Sequence, residues 1–254
     1  MDPGMETNAK ASAIFDGFTV FGAWPNRPAD IRVETLTATL DRHRVTRALT
    51  ICAEAIQGDG MTGNDRAMAA AAKDARLVAV PVLNPACYPF CLNELERMGQ
   101  QGRRLFATFP ETQEWEPDCL AFRPTVEALA ALGAGLMAEA TRPSTVAGLL
   151  RAVAGHDLPL ILVGANYRNL GEVLAAATVH PQVYVETHLL AAVGGLERCL
   201  QVLGEERVLF GSGAPLGYFS SAFLRARFAA VTPKQMANVL YGNTAALLER
   251  LGCP

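Results

Sequence analysis

Leu158-Pro159-Leu160-Ile161-Leu162-Val163-Gly164 and Arg207-Val208-Leu209-Phe210-Gly211-Ser212-Gly213 decide the fold of this 254-residue chain. Both runs are apolar almost throughout. A strand with one wet face alternates apolar and polar residues, whereas a parallel strand covered on both faces has no need to. Working outward, similar runs lie at Ile14–Gly22, Arg47–Ala55, Leu77–Asn84, Arg104–Pro110, Gly135–Ala140 and Val183–His188. With Leu158–Gly164 and Val208–Gly213 they make eight. Between them, Thr35–His43, Gly63–Ala72, Ser144–His156, Asn169–Val179, Gly194–Leu203 and Pro233–Leu251 carry apolar residues at three- and four-residue intervals, the mark of amphipathic helices. This alternation predicts consecutive βα units and a single (β/α)8 TIM barrel, for which about 250 residues is the usual length.

Half of the residues are hydrophobic and 19% are charged, enough apolar material for one large core and far from a disordered composition. A net charge of -3 without a dense Lys/Arg tract leaves no electrostatic footprint for nucleic acid or an anionic membrane. The expected partner is a small molecule, and a homo-oligomer is left open. No apolar run is long enough to span a bilayer, and Met1–Ala11 lacks the hydrophobic region of a signal peptide, so a cytoplasmic location is expected. Residues 1–11 read as a flexible N-terminal segment and 12–254 as one barrel domain. Six cysteines without an export signal read as free thiols; Cys87 and Cys91 have neither redox-pair nor zinc-knuckle spacing.

Thr232-Pro233-Lys234-Gln235 marks the start of the last helix, with Thr as cap, Pro in the first turn and Gln at the reciprocal capping position. Two long connections, Pro85–Gly102 and Glu111–Gly133, follow the third and fourth strands. Loops after strands build the catalytic face of a barrel, so Pro110–Arg123 is the first candidate for a pocket wall or lid.

Four segments, in order, resemble the amidohydrolase-related (amidohydrolase 2) family. Ile14-Phe15-Asp16-Gly17-Phe18-Thr19-Val20 is similar to its opening Asp-x-His-x-His strand. His180-Pro181 followed by Val183-Tyr184-Val185-Glu186-Thr187 resembles its Val-Tyr-Val-acid-Ser/Thr strand. Arg207-Val208-Leu209-Phe210-Gly211-Ser212-Gly213-Ala214-Pro215 resembles Arg-Val-Leu-Phe-Gly-Ser-Asp-x-Pro. Finally, Gly242-Asn243-Thr244-Ala245-Ala246-Leu247 resembles the family's terminal Gly-Asn-Ala-x-x-Leu.

The resemblance implies one or two divalent ions held by two first-strand histidines, histidines of the fifth and sixth strands, and an aspartate after the eighth. This chain departs from that pattern. Phe18 and Val20 stand in place of the first two histidines, Glu139 and Gly164 or its neighbour in place of the next two, and Gly213 in place of the aspartate. No metal and no other cofactor is therefore expected.

Polar residues nevertheless gather at the expected strand ends: Asp16, Glu54, Thr108, Glu139, Asn166, Tyr167, Glu186, His188 and Ser212. Taken singly, each has a structural role as its plainer explanation. Of the four histidines only His188 directly follows a strand, where an imidazole beside Glu186 or Glu139 can move protons. The expected catalytic set is His188, Asp16, Glu139 and Glu186. Arg142 and Arg168, which could grip a carboxylate, join Asn166, Tyr167, Thr108 and Ser212 as the expected substrate-binding set. Cys52 is a further candidate nucleophile.

The reading that follows is a metal-independent hydrolase of lactones or esters, or a lyase, acting on a small anionic carbonyl compound. The alternative is a catalytically silent barrel that binds a metabolite or a partner. A minor alternative keeps a metal on Glu139, Glu186 and His188. An active pocket would bring His188, Glu139 and Asp16 within hydrogen-bond reach; a silent one would be filled by Phe18, Phe210 and Tyr218.

Overall fold

The computed structural model describes residues 13–25 and 29–253; the expected flexible segment 1–11 lies outside them. Among the described residues eight parallel strands form: β1 (Phe15–Phe21), β2 (Arg47–Cys52), β3 (Leu77–Ala79), β4 (Leu105–Thr108), β5 (Gly135–Glu139), β6 (Leu160–Val163), β7 (Val183–Glu186) and β8 (Val208–Leu209). Each falls inside the run expected for it. β1 to β3 form one ladder and β4 to β8 another. A few backbone hydrogen bonds close each of the two seams. At one, Ala107 N donates to Pro81 O and Leu83 N to Ala107 O, both at 2.8 Å; at the other, Gly213 N donates to Phe18 O at 2.8 Å and Val20 N to Ala214 O at 3.0 Å. The result is a (β/α)8 barrel.

The strands divide their side chains as the all-apolar runs require. In β6, Ile161 and Val163 point into the barrel with Phe15, Leu105, Met137 and Leu209, while Leu160 and Leu162 pack outward. The outer layer is completed by α1 (Val33–Arg42), α2 (Ala53–Gln57), α3 (Gly60–Lys73), α4 (Phe90–Gln100), α5 (Phe122–Ala131), α6 (Pro143–Val153), α7 (Leu170–Val179), α8 (Gly195–Leu203), α9 (Phe219–Arg227), α10 (Pro233–Ala237) and α11 (Asn243–Arg250). The capping box forms as read: Gln235 N donates to Thr232 Oγ1 at 3.2 Å and Thr232 N to Gln235 Oε1 at 2.9 Å. The last helix is interrupted by a π-helical turn at Asn238–Gly242.

Each of the two long connections carries a helix that the sequence reading did not mark. α4 and α5 bury Leu95, Met98, Val126 and Leu129 at helical spacing, yet each carries a proline, Pro89 or Pro124, that resembles a breaker. Proline is tolerated in a first turn, where no intrahelical N–H bond is lost. What remains irregular is the stretch after β4 that carries Glu111 and Thr112.

β1 carries a register shift between Asp16 and Thr19. Such an irregularity re-aims side chains, and Phe15 and Phe18, three apart, both join the inner cluster.

Candidate active site

A cavity of about 300 Å³ opens at the C-terminal mouth of the barrel. Phe18, Val20, Trp24, Phe109, Val163 and Leu216 give it an apolar lining, and Thr112, Glu139, Thr141 and His188 supply its side-chain polarity. The mouth is thus neither empty nor filled. Phe18 does pack there, with its ring centroid 4.8 Å from that of His188, but Phe210 faces the outer layer against Phe219 and Phe223, and Tyr218 is exposed.

His188 sits just beyond β7 on a short turn that bends it back over its own strand. Its ring Nδ1 lies 2.5 Å from Oε2 of Glu186, and its backbone N donates to Oε1, also at 2.5 Å. Glu186 is fully buried and the His188 side chain is 16% exposed. Two glycines make room for the pair. A Cβ on Gly211 would fall 2.0 Å from Glu186 Oε1, and one on Gly213, whose φ is +69°, would fall 3.2 Å from His188 Cδ2. Arg225 of α9, which the sequence reading missed, braces the turn from behind by donating from Nη2 to the His188 carbonyl at 2.5 Å. Burial pulls the Arg225 guanidinium down, and the Glu186 charge works in the opposite direction.

Glu139 lies at the end of β5. It accepts from Thr112 N at 2.8 Å and from Thr112 Oγ1 at 2.7 Å, and burial pushes its carboxyl up despite those bonds. Its neighbour Glu111 makes the reciprocal clasp, accepting from Thr141 N, Thr141 Oγ1 and Arg142 N. Burial opposes ionisation of Glu111, but the hydrogen bonds from the Thr141 side chain and from the Thr141 and Arg142 amides outweigh it and hold the carboxyl below its usual value.

Asp16 does not join His188 and Glu139, contrary to expectation. The irregularity in β1 buries it completely beneath the mouth, where Ser212 Oγ donates to Oδ2 at 2.5 Å, Ser212 N to Oδ1 at 2.9 Å and Phe18 N to Oδ1 at 3.2 Å. It therefore latches the segment after β8 to β1. Burial, against the pull of these hydrogen bonds, raises its pKa to about 7, with a smaller contribution from the Glu186 charge. A carboxyl whose folded pKa lies above its unfolded value favours folding while protonated, so stability should fall as pH rises from about 4 to 7, with a limiting slope of about 1.4 kcal/mol per pH unit. Asp16→Asn should flatten this dependence. Urea midpoints at pH 5 and 7.5 for both proteins check it, and an equal drop in the two would refute the assignment.

The remaining expected residues stand away from the cavity. Thr108 Oγ1 donates to Leu83 O and Ser212 serves Asp16. Asn166 Nδ2 donates to Thr141 O and Gly164 O, a turn-forming role. Arg142 pairs with Glu111 at 3.5 Å with half its side chain exposed. Arg168 covers the ring of the exposed Tyr167 and donates to its hydroxyl. Glu54 pairs with Arg66. Cys52 is buried, and burial pushes its thiol up, the wrong direction for a nucleophile.

The donor set does not fit the divalent ion that the family resemblance implies. Phe18, Val20 and Gly213 offer no lone pairs, and both Glu186 oxygens are taken by His188. Among the described residues no three His, Cys, Asp or Glu side chains converge on a point.

Comparison with known proteins agrees with the architecture. The structure of 5-carboxyvanillate decarboxylase from Sphingomonas paucimobilis matches with a TM-score of 0.75 at 17% identity, covering 94% of this chain and 99% of that one. A dihydroxybenzoic acid decarboxylase from Polaromonas, with bound manganese and the inhibitor 2-nitroresorcinol, matches at 0.72 and 14%, covering 95% and 97%. A probable 2-pyrone-4,6-dicarboxylic acid hydrolase from Acinetobacter baumannii matches at 0.68 and 14%, covering 94% and 99%. At such identities the likeness establishes the TIM-barrel fold alone. No curated protein sequence matches the chain. The amidohydrolase family model matches residues 10–250, nearly the whole chain, and this protein belongs to that family.

Proposed function

We propose that the barrel mouth is the active site of a metal-independent hydrolase of small lactones or esters. The observation that carries this reading is the His188–Glu186 pair. With Nδ1 tied to a buried carboxylate, the imidazole is fixed in one tautomer and its Nε2, which has no hydrogen-bond partner among the described residues, is left as a lone pair on the wall of a 300 Å³ cavity. An oriented imidazole lone pair facing the substrate space is what general-base ester hydrolysis needs.

In this mechanism Nε2 takes a proton from water as the water oxygen attacks the carbonyl carbon. Glu186 stabilises the imidazolium that results. When the tetrahedral intermediate collapses, the carbonyl carbon–alkoxide bond breaks and the imidazolium returns the proton to the leaving oxygen, giving a carboxylic acid and an alcohol, joined in one molecule if the substrate was a lactone. An activated ester requires less electrophilic help than an amide, so the absence of a cationic donor set matters least for that substrate class. The relatives act on aromatic and pyrone acids, which supports a small ring compound as substrate; the anionic group expected from the sequence is not carried over to the cavity itself, because Arg142 and Arg168, which were to hold it, are turned to Glu111 and Tyr167. Free cysteines, among the described residues, fit a reducing cytoplasm.

The test is hydrolysis of a lactone and ester panel by protein stripped of metal with a chelator. Turnover that survives stripping and is lost in His188→Gln supports the reading; an inert protein, or turnover restored only by manganese or zinc, overturns it. The apolar lining favours a second reading, a barrel that binds a small molecule without altering it. Binding with no turnover of any panel member would select that one.

A further inference from the structure

We propose that the mouth cavity admits a ring-sized ligand in its uncharged form and rejects the corresponding carboxylate, so that the substrate enters neutral and the product leaves as an anion. This rests on the assignment of the mouth as the active site, but on different observations from the His188–Glu186 pair.

The first observation is size. A cavity of about 300 Å³ is at the small end of the range for small-molecule sites, which suits a ligand the size of one substituted ring. The second is the lining. Phe18, Val20, Trp24, Phe109, Val163 and Leu216 surround that space, and apolar walls of this kind gain from covering a ring and lose from stripping water off a charge. The third is the sign of the charges present. Glu139 lines the cavity and Glu186 lies directly behind His188, whereas among the described residues no Lys or Arg lines it. Arg142 is turned to Glu111 on the rim, and Arg225 is spent on the His188 carbonyl and Ser221.

Two carboxylates about 6 Å apart at an effective dielectric constant of about 20 repel enough to weaken binding about a hundredfold. Solvent at the open mouth, and the upward push on the Glu139 carboxyl, reduce this to an expected factor of about ten. For a lactone the consequence is directional. Water adds across the carbonyl carbon–oxygen bond, the ring opens to a hydroxy acid, and its proton is lost to solvent; the anion formed is repelled by the site that made it.

The experiment measures binding rather than turnover, through quenching of Trp24 fluorescence, with Trp24→Phe as the control that identifies the reporting residue. The matched pair is 2,6-dihydroxybenzamide, which is neutral, and 2,6-dihydroxybenzoate, an anion of the same size; 3,4-dihydrocoumarin and its ring-opened hydroxy acid form the second pair. The neutral member of each pair should bind at least about tenfold more tightly at pH 7.5, and Glu139→Gln should narrow the gap by improving the anion. A carboxylate that binds as tightly as its neutral partner overturns the proposal, whether or not the variant folds. The failures are separable. Neutral preference without hydrolysis of dihydrocoumarin refutes the hydrolase and keeps the charge selection; hydrolysis without preference does the reverse.

Discussion

His188→Gln should lower kcat/KM for lactone hydrolysis by about 10²- to 10⁴-fold, the range supplied by a positioned acid–base group. Glutamine is the informative replacement. Glu186 is fully buried and takes both of its hydrogen bonds from His188, so alanine would strip the carboxylate of its side-chain donor and destabilise the fold for reasons unrelated to catalysis. A glutamine amide still offers a donor on a side chain of similar reach, but it has no basic nitrogen. Glu186→Gln should cost about as much: with its amide oxygen held by the His188 backbone N, its NH2 group would donate to Nδ1 and fix the tautomer whose Nε2 carries the proton. Thermal unfolding of the two variants within a few degrees of the parent would assign the lost turnover to proton transfer. If His188→Gln retained more than about a tenth of the parent kcat/KM, the base would have to be another group, and Glu139 is the one other ionisable side chain found in the lining.

How far this site could be read from the sequence depends on what kind of information each residue needs. The eight strands were legible because parallel strands buried on both faces leave uninterrupted apolar runs, and Leu160–Val163 is such a run with alternate residues facing in and out. His188 was legible for a related reason: a polar residue just past a strand lies at the mouth wherever the barrel closes. Asp16 was not. Whether it reaches the mouth depends on the irregularity between Asp16 and Thr19, which leaves no mark in residue types.

The arginines failed at a finer level. Their place at the strand ends follows from the topology, but a guanidinium on a long flexible stem goes to the nearest acid or ring. Glu111 and Tyr167 decide that for Arg142 and Arg168. Arg225 was missed because α9 lies in a segment where Phe219-Ser220-Ser221-Ala222 lacks the sustained apolar spacing by which the other helices were marked. The clasp between Glu111 with Thr141 and Glu139 with Thr112 is a pairing across two loops that no local pattern announces.

Gly211→Ala should destabilise the protein by about 2–4 kcal/mol, a fall in Tm of roughly 5–12 °C for a chain of this size, and should reduce turnover along with it. The added methyl would lie 2.0 Å from Glu186 Oε1, 2.6 Å from its Cδ and 2.9 Å from its Cγ. A surface carboxylate would swing aside. Glu186 has nowhere to swing, since it is fully buried and each oxygen is held by His188. The Gly211 backbone is itself held by Thr187, to whose hydroxyl its N donates at 3.3 Å. The conflict is therefore between one methyl and one carboxylate, and a double-mutant cycle isolates it. In the Glu186→Ala background the same methyl enters vacated space, and the loss from Gly211→Ala should shrink to below about 1 kcal/mol. Additive losses would mean that the glycine is required by the backbone of the segment after β8 rather than by Glu186. Strong coupling would show that Gly211 is fitted to the Glu186 carboxylate. The same pair of substitutions also bears on catalysis: if the methyl acts by displacing Glu186, Gly211→Ala should lower turnover in the parent protein and cost nothing further in the Glu186→Ala background.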